Sequence, residues 1–184
     1  MSISTTSSRT PSLKSVAIGA AVALLSGIVI KSIAAAPCAN DKCFLGKAAD
    51  AGSEEIAASK LAQSKSSNPE VQQFAAAMLT QHTQLADELK QLASSKQIEI
   101  SDQPARKHQA QIDKLSRLEG LPFDKEYAAS IGVAAHKEAV KLFMEASQKA
   151  SDPDIKAFAA KNLPALQHHL EMANTLHAAL QRQP

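Results

Sequence analysis

Four residues carry the chemistry that this sequence offers: Glu55, His82, His136 and His169. Each falls within an apolar stripe of helical period rather than beside one. Val71, Phe74/Ala75 and Met78 precede His82 at that spacing, and Leu85, Leu89 and Leu92 follow it. Imidazole nitrogens and a carboxylate oxygen are suitable ligands for zinc, copper or iron. An unpartnered polar group on a buried face is costly, so four of them point to a shared centre. The expectation is one transition-metal ion held by His82, His136 and His169, with Glu55 as the fourth ligand or as a hydrogen-bond partner orienting an imidazole. Protonated imidazole cannot ligate, so binding should weaken as the pH falls through about 6.5. A structural alternative stands beside this one: the histidines bond one another, Tyr127 or Glu55 and fix helix register. No nucleophile–histidine–acid arrangement, phosphate loop or nucleotide fingerprint occurs, so no catalytic or nucleotide-binding residue is assigned.

Long helices must position these groups. Asn68-Pro69 is a helix start, with Asn capping free N–H groups and Pro at a position that needs no donor. The stretch from Ser67 to Ala76 returns at Ser151 to Ala160, offset by 84 positions, with Asp152-Pro153 as its start. Two matched helices imply two matched hairpins. A first helix over about Phe44–Ser66 carries Leu45, Ala48, Gly52, Glu55, Ser59 and Ala62 on one face, with Glu54 pointing aside; mid-helix Gly52 suggests a close helix contact. A third, opened by Pro122 and running to about Ala150, places Ala129, Val133, His136, Val140, Phe143 and Ser147 together. The fourth follows Pro153 with Pro164 inside it. Between the hairpins, a shorter helix from Pro104 to Glu119 spans the crossover, stopped by Gly120, and His108 on it reads as solvated surface. The chain should therefore form an all-α, four-helix bundle over 44–181, up-down-down-up, with a short extra helix in the crossover. Phe74, Met78, Leu85, Leu89, Val140, Phe143, Leu166 and Ala173 should be core. At about 1.5 Å per residue, Glu55, His82 and His136 share one depth, with His169 a turn or two away.

Composition agrees with helices: Ala and Leu dominate, aromatics are 3% and Trp is absent. Arg9, Lys14 and Lys31 lie near the N-terminus, and the rest holds 17 basic against 18 acidic residues. No basic face asks for nucleic acid. Residues 1–36 read as a secretory signal: Arg9 and Lys14, then the uncharged run Ser15–Ile30, then Ala34-Ala35-Ala36. The run is short for a membrane span, although Pro37 disfavours the cut and an uncleaved anchor is the alternative. In the linker 37–43, Cys38 and Cys43 fit a local disulfide in an oxidising compartment. A two-thiolate metal clip would need further soft ligands nearby.

Several clusters together resemble one known family. Phe44-Leu45, Gly52 with Glu55-Ile56, Val71 with Phe74-Ala75, and Met78 with His82 are similar to its first half. Phe123-Asp124 with Tyr127, His136 with Ala139-Val140, and Leu163-Pro164 with His169-Leu170 are similar to its second. This is the bacterial exported family catalogued as domain of unknown function 4142, grouped with ferritin-like bundles. The resemblance implies a ferritin-like bundle exported to the periplasm and brings no established reaction. Some members carry an outer-membrane label, but no alternating β-barrel strands occur here. The di-iron pattern of ferritin-like proteins needs Glu-x-x-His on two helices; Leu79, Val133 and Leu166 stand three residues before the three histidines. Ferroxidase chemistry is not expected. Two functional classes follow: a metal- or redox-active periplasmic bundle, or a non-catalytic envelope or stress-response protein that binds a partner.

Overall fold

The structure is a computed structural model that describes residues 1–2 and 40–183. The expected signal segment beyond Ser2, and Cys38 with its expected disulfide to Cys43, lie outside the described residues. By packing, the chain divides into two units, Met1–Ala35 and Ala36–Pro184. All the helices below belong to the second.

The described residues are helical and include no strand. In chain order they are α1 (Asp41–Lys65), α2 (Pro69–Ser95), α3 (Arg106–Ser116) and α4 (Gly120–Glu126). A π-helical segment (Tyr127–Ala135), α5 (His136–Lys149) and α6 (Pro153–Gln181) complete the set. None is long and apolar enough to cross a membrane. The caps are those the sequence promises. Asn68 Oδ1 accepts from the N–H groups of Glu70 and Val71 at 2.9 and 3.4 Å. Asp152 Oδ1 accepts from Asp154 and Ile155 at 2.8 and 3.2 Å. Such caps stabilise a helix by about 1 kcal/mol each. The repeat survives into packing, because Val71, Phe74 and Ala75 are buried and so are Ile155, Phe158 and Ala159. Gly120, at φ +55, makes the turn between α3 and α4 in a conformation that favours glycine.

α1 packs chiefly along α2, and α5 along α6; α6 also covers the π-helical segment and part of α2. The apolar interior falls into two clusters. One gathers Ala58, Phe74, Met78, Ile131 and Ala173 among others, and the second gathers Ala49, Leu89, Ala139, Phe143 and Leu166. Of the expected core, Leu85 and Val140 are only half-buried and rest against the second cluster. The other six are buried.

Two expectations are overturned by the packing. Gly52 makes no close helix contact: a Cβ built there would meet nothing within 4 Å. The close approach is at Gly132, whose added Cβ would lie 3.2 Å from Ala173 Cβ. His108 is not solvated surface either. Its Nδ1 contacts Glu54 Oε2 and its Nε2 lies 3.2 Å from Asp50 Oδ2, which pins α3 against α1 and buries Glu54. Asp50 and Glu54, one turn apart, present both carboxylates on the face that α3 crosses.

Candidate metal centre

On each long helical run, the sequence-predicted polar group sits at the break between the two apolar clusters. Glu55 falls between Ala49 and Ala58, and His82 between Met78 and Leu89. His136 falls between Ile131 and Ala139, and His169 between Leu166 and Ala173. Four helical runs thus contribute one polar layer with apolar packing on both sides. All four side chains are buried, none more than 3% exposed. His169, expected a turn or two away, joins the others. The three imidazole centroids form a nearly equilateral triangle, with edges of 5.2, 5.3 and 5.4 Å. One nitrogen from each ring lies within 4.8 Å of the other two, so the three histidines are close enough to hold a metal.

The tightest part of the centre is a second triangle. Glu55 Oε2 lies 3.4 Å from His82 Nε2 and 3.3 Å from His136 Nε2, and those nitrogens are 3.3 Å apart. Metal–nitrogen and metal–oxygen bonds near 2.0–2.1 Å in a tetrahedron put neighbouring ligand atoms about 3.3–3.4 Å apart. The three spacings match that edge. The contacts from Glu55 do not satisfy it as hydrogen bonds, for neither of its oxygens has a hydrogen-bond partner. An orphan buried polar atom costs about 1–3 kcal/mol. Glu55 also faces the Nε2 side of the two rings. That is where a ligand belongs; a carboxylate orienting an imidazole would sit at Nδ1.

His136 owes its place to the π-helical segment. Phe123, Tyr127 and Ile131 recur every four residues on the buried face, and His136 is buried five residues beyond Ile131. The wider turn admits one extra residue and realigns α5, as π-bulges at functional positions do. A regular helix would bury Ala129 and Val133 instead, as the sequence pattern suggested, yet both are half-exposed. The same turn leaves the Ile131 carbonyl accepting from His136 Nδ1 at 3.1 Å. A carbonyl only accepts, so that ring keeps its proton on Nδ1 and presents an Nε2 lone pair to the centre. His169 is held from the other end, its Nε2 donating to Gln81 Oε1 at 2.6 Å, which leaves a lone pair on Nδ1. Sequence patterning missed Gln81, which reads as part of the solvated face of α2. Tyr127 bonds Ser59 at 3.1 Å rather than a histidine.

Burial governs protonation here. It raises the Glu55 carboxyl well above its usual range, helped by the neighbouring charge of Glu54. It lowers His82 well below the usual imidazole value, with His136 and His169 adding to the effect. His136 is lowered by the same cause, partly offset by its backbone bonds. His169 falls to about 4, through burial and then the proximity of His136 and His168. Burial thus shifts all four groups towards their neutral forms. For the histidines the shift runs towards acid, so the loss of metal binding by protonation is expected at a pH below 6.5.

The family model described as Domain of unknown function (DUF4142) matches residues 31–176. No curated protein and no solved structure matched the chain.

Proposed function

Since this chain belongs to the family described as Domain of unknown function (DUF4142), we propose a function from its own residues: an exported, ferritin-like four-helix bundle that binds one transition-metal ion through Glu55, His82, His136 and His169. The observation that carries this is the Glu55–His82–His136 triangle, with spacings of 3.3–3.4 Å at a polar layer between two apolar clusters. The bundle is up-down-down-up, with α1–α2 as one hairpin, α4 to α6 as the other and α3 in the crossover. Export rests on Arg9 and Lys14, the run Ser15–Ile30 and Ala34–Ala36.

The donor set argues for zinc, copper or iron in a site of imidazole and carboxylate character. A divalent ion would displace the Glu55 proton and recover the solvation that burial denies the carboxylate. With copper(II) or zinc offered equally, copper binds more tightly, following the general order of divalent affinities. The centre lacks Glu-x-x-His pairs and supports a single ion rather than a di-iron cluster. The test is untagged purification from native cells followed by metal analysis. One equivalent of one metal per chain is expected, and it disappears in His82→Ala. A metal-free, correctly folded protein that takes up neither copper nor zinc leaves the histidines a structural role.

A further inference from the structure

The three histidines differ in how their outward nitrogens are served. His136 Nδ1 has the Ile131 carbonyl and His169 Nε2 has the Gln81 amide oxygen. His82 has nothing: its Nδ1 is buried without a hydrogen-bond partner. A histidine that ligates through Nε2 carries its proton on Nδ1, and ligating histidines nearly always donate that proton to a carboxylate, a carbonyl or water. His82 also lines a cleft of 580 Å³ between α1, α2 and the 100–104 segment. That volume is in the range of pockets that hold metabolite-sized ligands. Its inner walls are Ala48, Ala49, Leu85, Leu89 and Phe143, and Gly52 leaves room that a side chain would fill.

We propose that this cleft binds a small organic monocarboxylate, its carboxylate accepting from His82 Nδ1 and its apolar body lying along the Ala48–Gly52 wall of α1. The inference rests on the metal site proposed above. One divalent ion with ionised Glu55 leaves a net charge of +1 on the ion and its four ligands, and a monocarboxylate neutralises it. Charges at the cleft mouth are balanced, Lys60 and Lys90 against Asp87 and Asp102, so the inner end decides the sign of the ligand. The small and aliphatic side chains along the wall decide that its body is apolar.

The test uses the zinc-loaded full chain and the straight-chain acids from acetate to hexanoate as probes. In protein labelled with ¹⁵N-histidine, the His82 Nδ1–H signal should shift on titration while those of the other two rings stay put. Affinity should rise by about fourfold per methylene until the cleft is filled. Gly52→Leu should weaken hexanoate at least tenfold and leave zinc affinity within threefold. Should that variant fold poorly by circular dichroism, Ala86→Leu on the facing helix should do the same. No shift at saturating hexanoate overturns the proposal and implies that water serves His82. Equal affinity in the plugged variants, or equal binding to metal-free protein, overturns it too. If zinc is not taken up at all, the metal site fails first and the carboxylate site falls with it.

Discussion

In chelator, the metal-free protein should lose stability in acid because folding keeps its histidines from taking protons. His169 is the case with a value: its pKa is lowered from 6.5 to about 4 by burial, then by His136 and His168. As the pH falls below 6.5, the unfolded chain binds a proton that the folded chain refuses, so stability drops until about pH 4. A lowered imidazole pKa thus adds stability that is present above the unfolded value and lost in acid. Across 2.5 pKa units, at 1.36 kcal/mol each, His169 alone accounts for about 3 kcal/mol. His82 and His136 act in the same direction. Glu55, whose pKa is raised, acts in the opposite one, its cost being relieved as the pH falls towards 4.5. The variant His169→Gln isolates one contribution. Losing the bond to Gln81 shifts its stability by a constant, whereas losing the titration changes the slope. Urea unfolding in chelator at pH 7, 6, 5 and 4 should show the wild type falling about 3 kcal/mol further than the variant. Parallel profiles, within about 0.5 kcal/mol, the size of ordinary surface effects, would refute the neutral, buried His169.

Other consequences are open to direct measurement. Phe74 is buried at 4% exposure, its ring 6.1 Å from Tyr127 and 6.3 Å from His136, so Phe74→Ala should cost about 3–5 kcal/mol by urea unfolding; a loss under about 0.5 kcal/mol would place it on the surface. Gly52 and Gly132 should respond with opposite signs. Gly52→Ala should stabilise by about 0.5–1 kcal/mol because its Cβ meets nothing, whereas Gly132→Val should destabilise by about 1–3 kcal/mol by forcing the π-helical segment off Ala173. Thermal unfolding reads both, and a shared sign contradicts the contact geometry. For export, intact mass of the periplasmic fraction should give a chain beginning near Pro37 with Cys38 and Cys43 oxidised. A full-length membrane-retained species contradicts cleavage, and two alkylatable thiols contradict the disulfide.

The helices and the four inward polar groups were legible because caps and a 3.6-residue period are local properties of the chain. Asn68-Pro69 and Asp152-Pro153 fixed two starts, and the stripes pointed Glu55, His82 and His169 inward without any knowledge of neighbours. His136 is inward for a different physical reason. A regular helical wheel buries it beside Val133, whereas the protein inserts a π turn and buries it with Ile131. The pattern had placed Ile131 on the opposite side of that helix from His136. What stayed hidden was tertiary. His108 read as solvated surface, yet α3 lays it against Asp50 and Glu54. Gln81 stands on the polar side of α2 and gains meaning only once α6 brings His169 to it. Gly52 suggested contact and instead borders a cleft, since a missing side chain leaves the same sign in sequence for both.

Whether Glu55, His82, His136 and His169 share one metal ion can be read by calorimetry. Copper(II) and zinc would each be titrated into metal-free wild type, His82→Ala and Glu55→Gln at pH 7, in buffers of different ionisation enthalpy. One site per chain is expected, with copper tighter than zinc, no site in His82→Ala, and about one proton released by the wild type that Glu55→Gln does not release. Uptake by His82→Ala equal to that of the wild type, or no uptake by either, would contradict a shared ion.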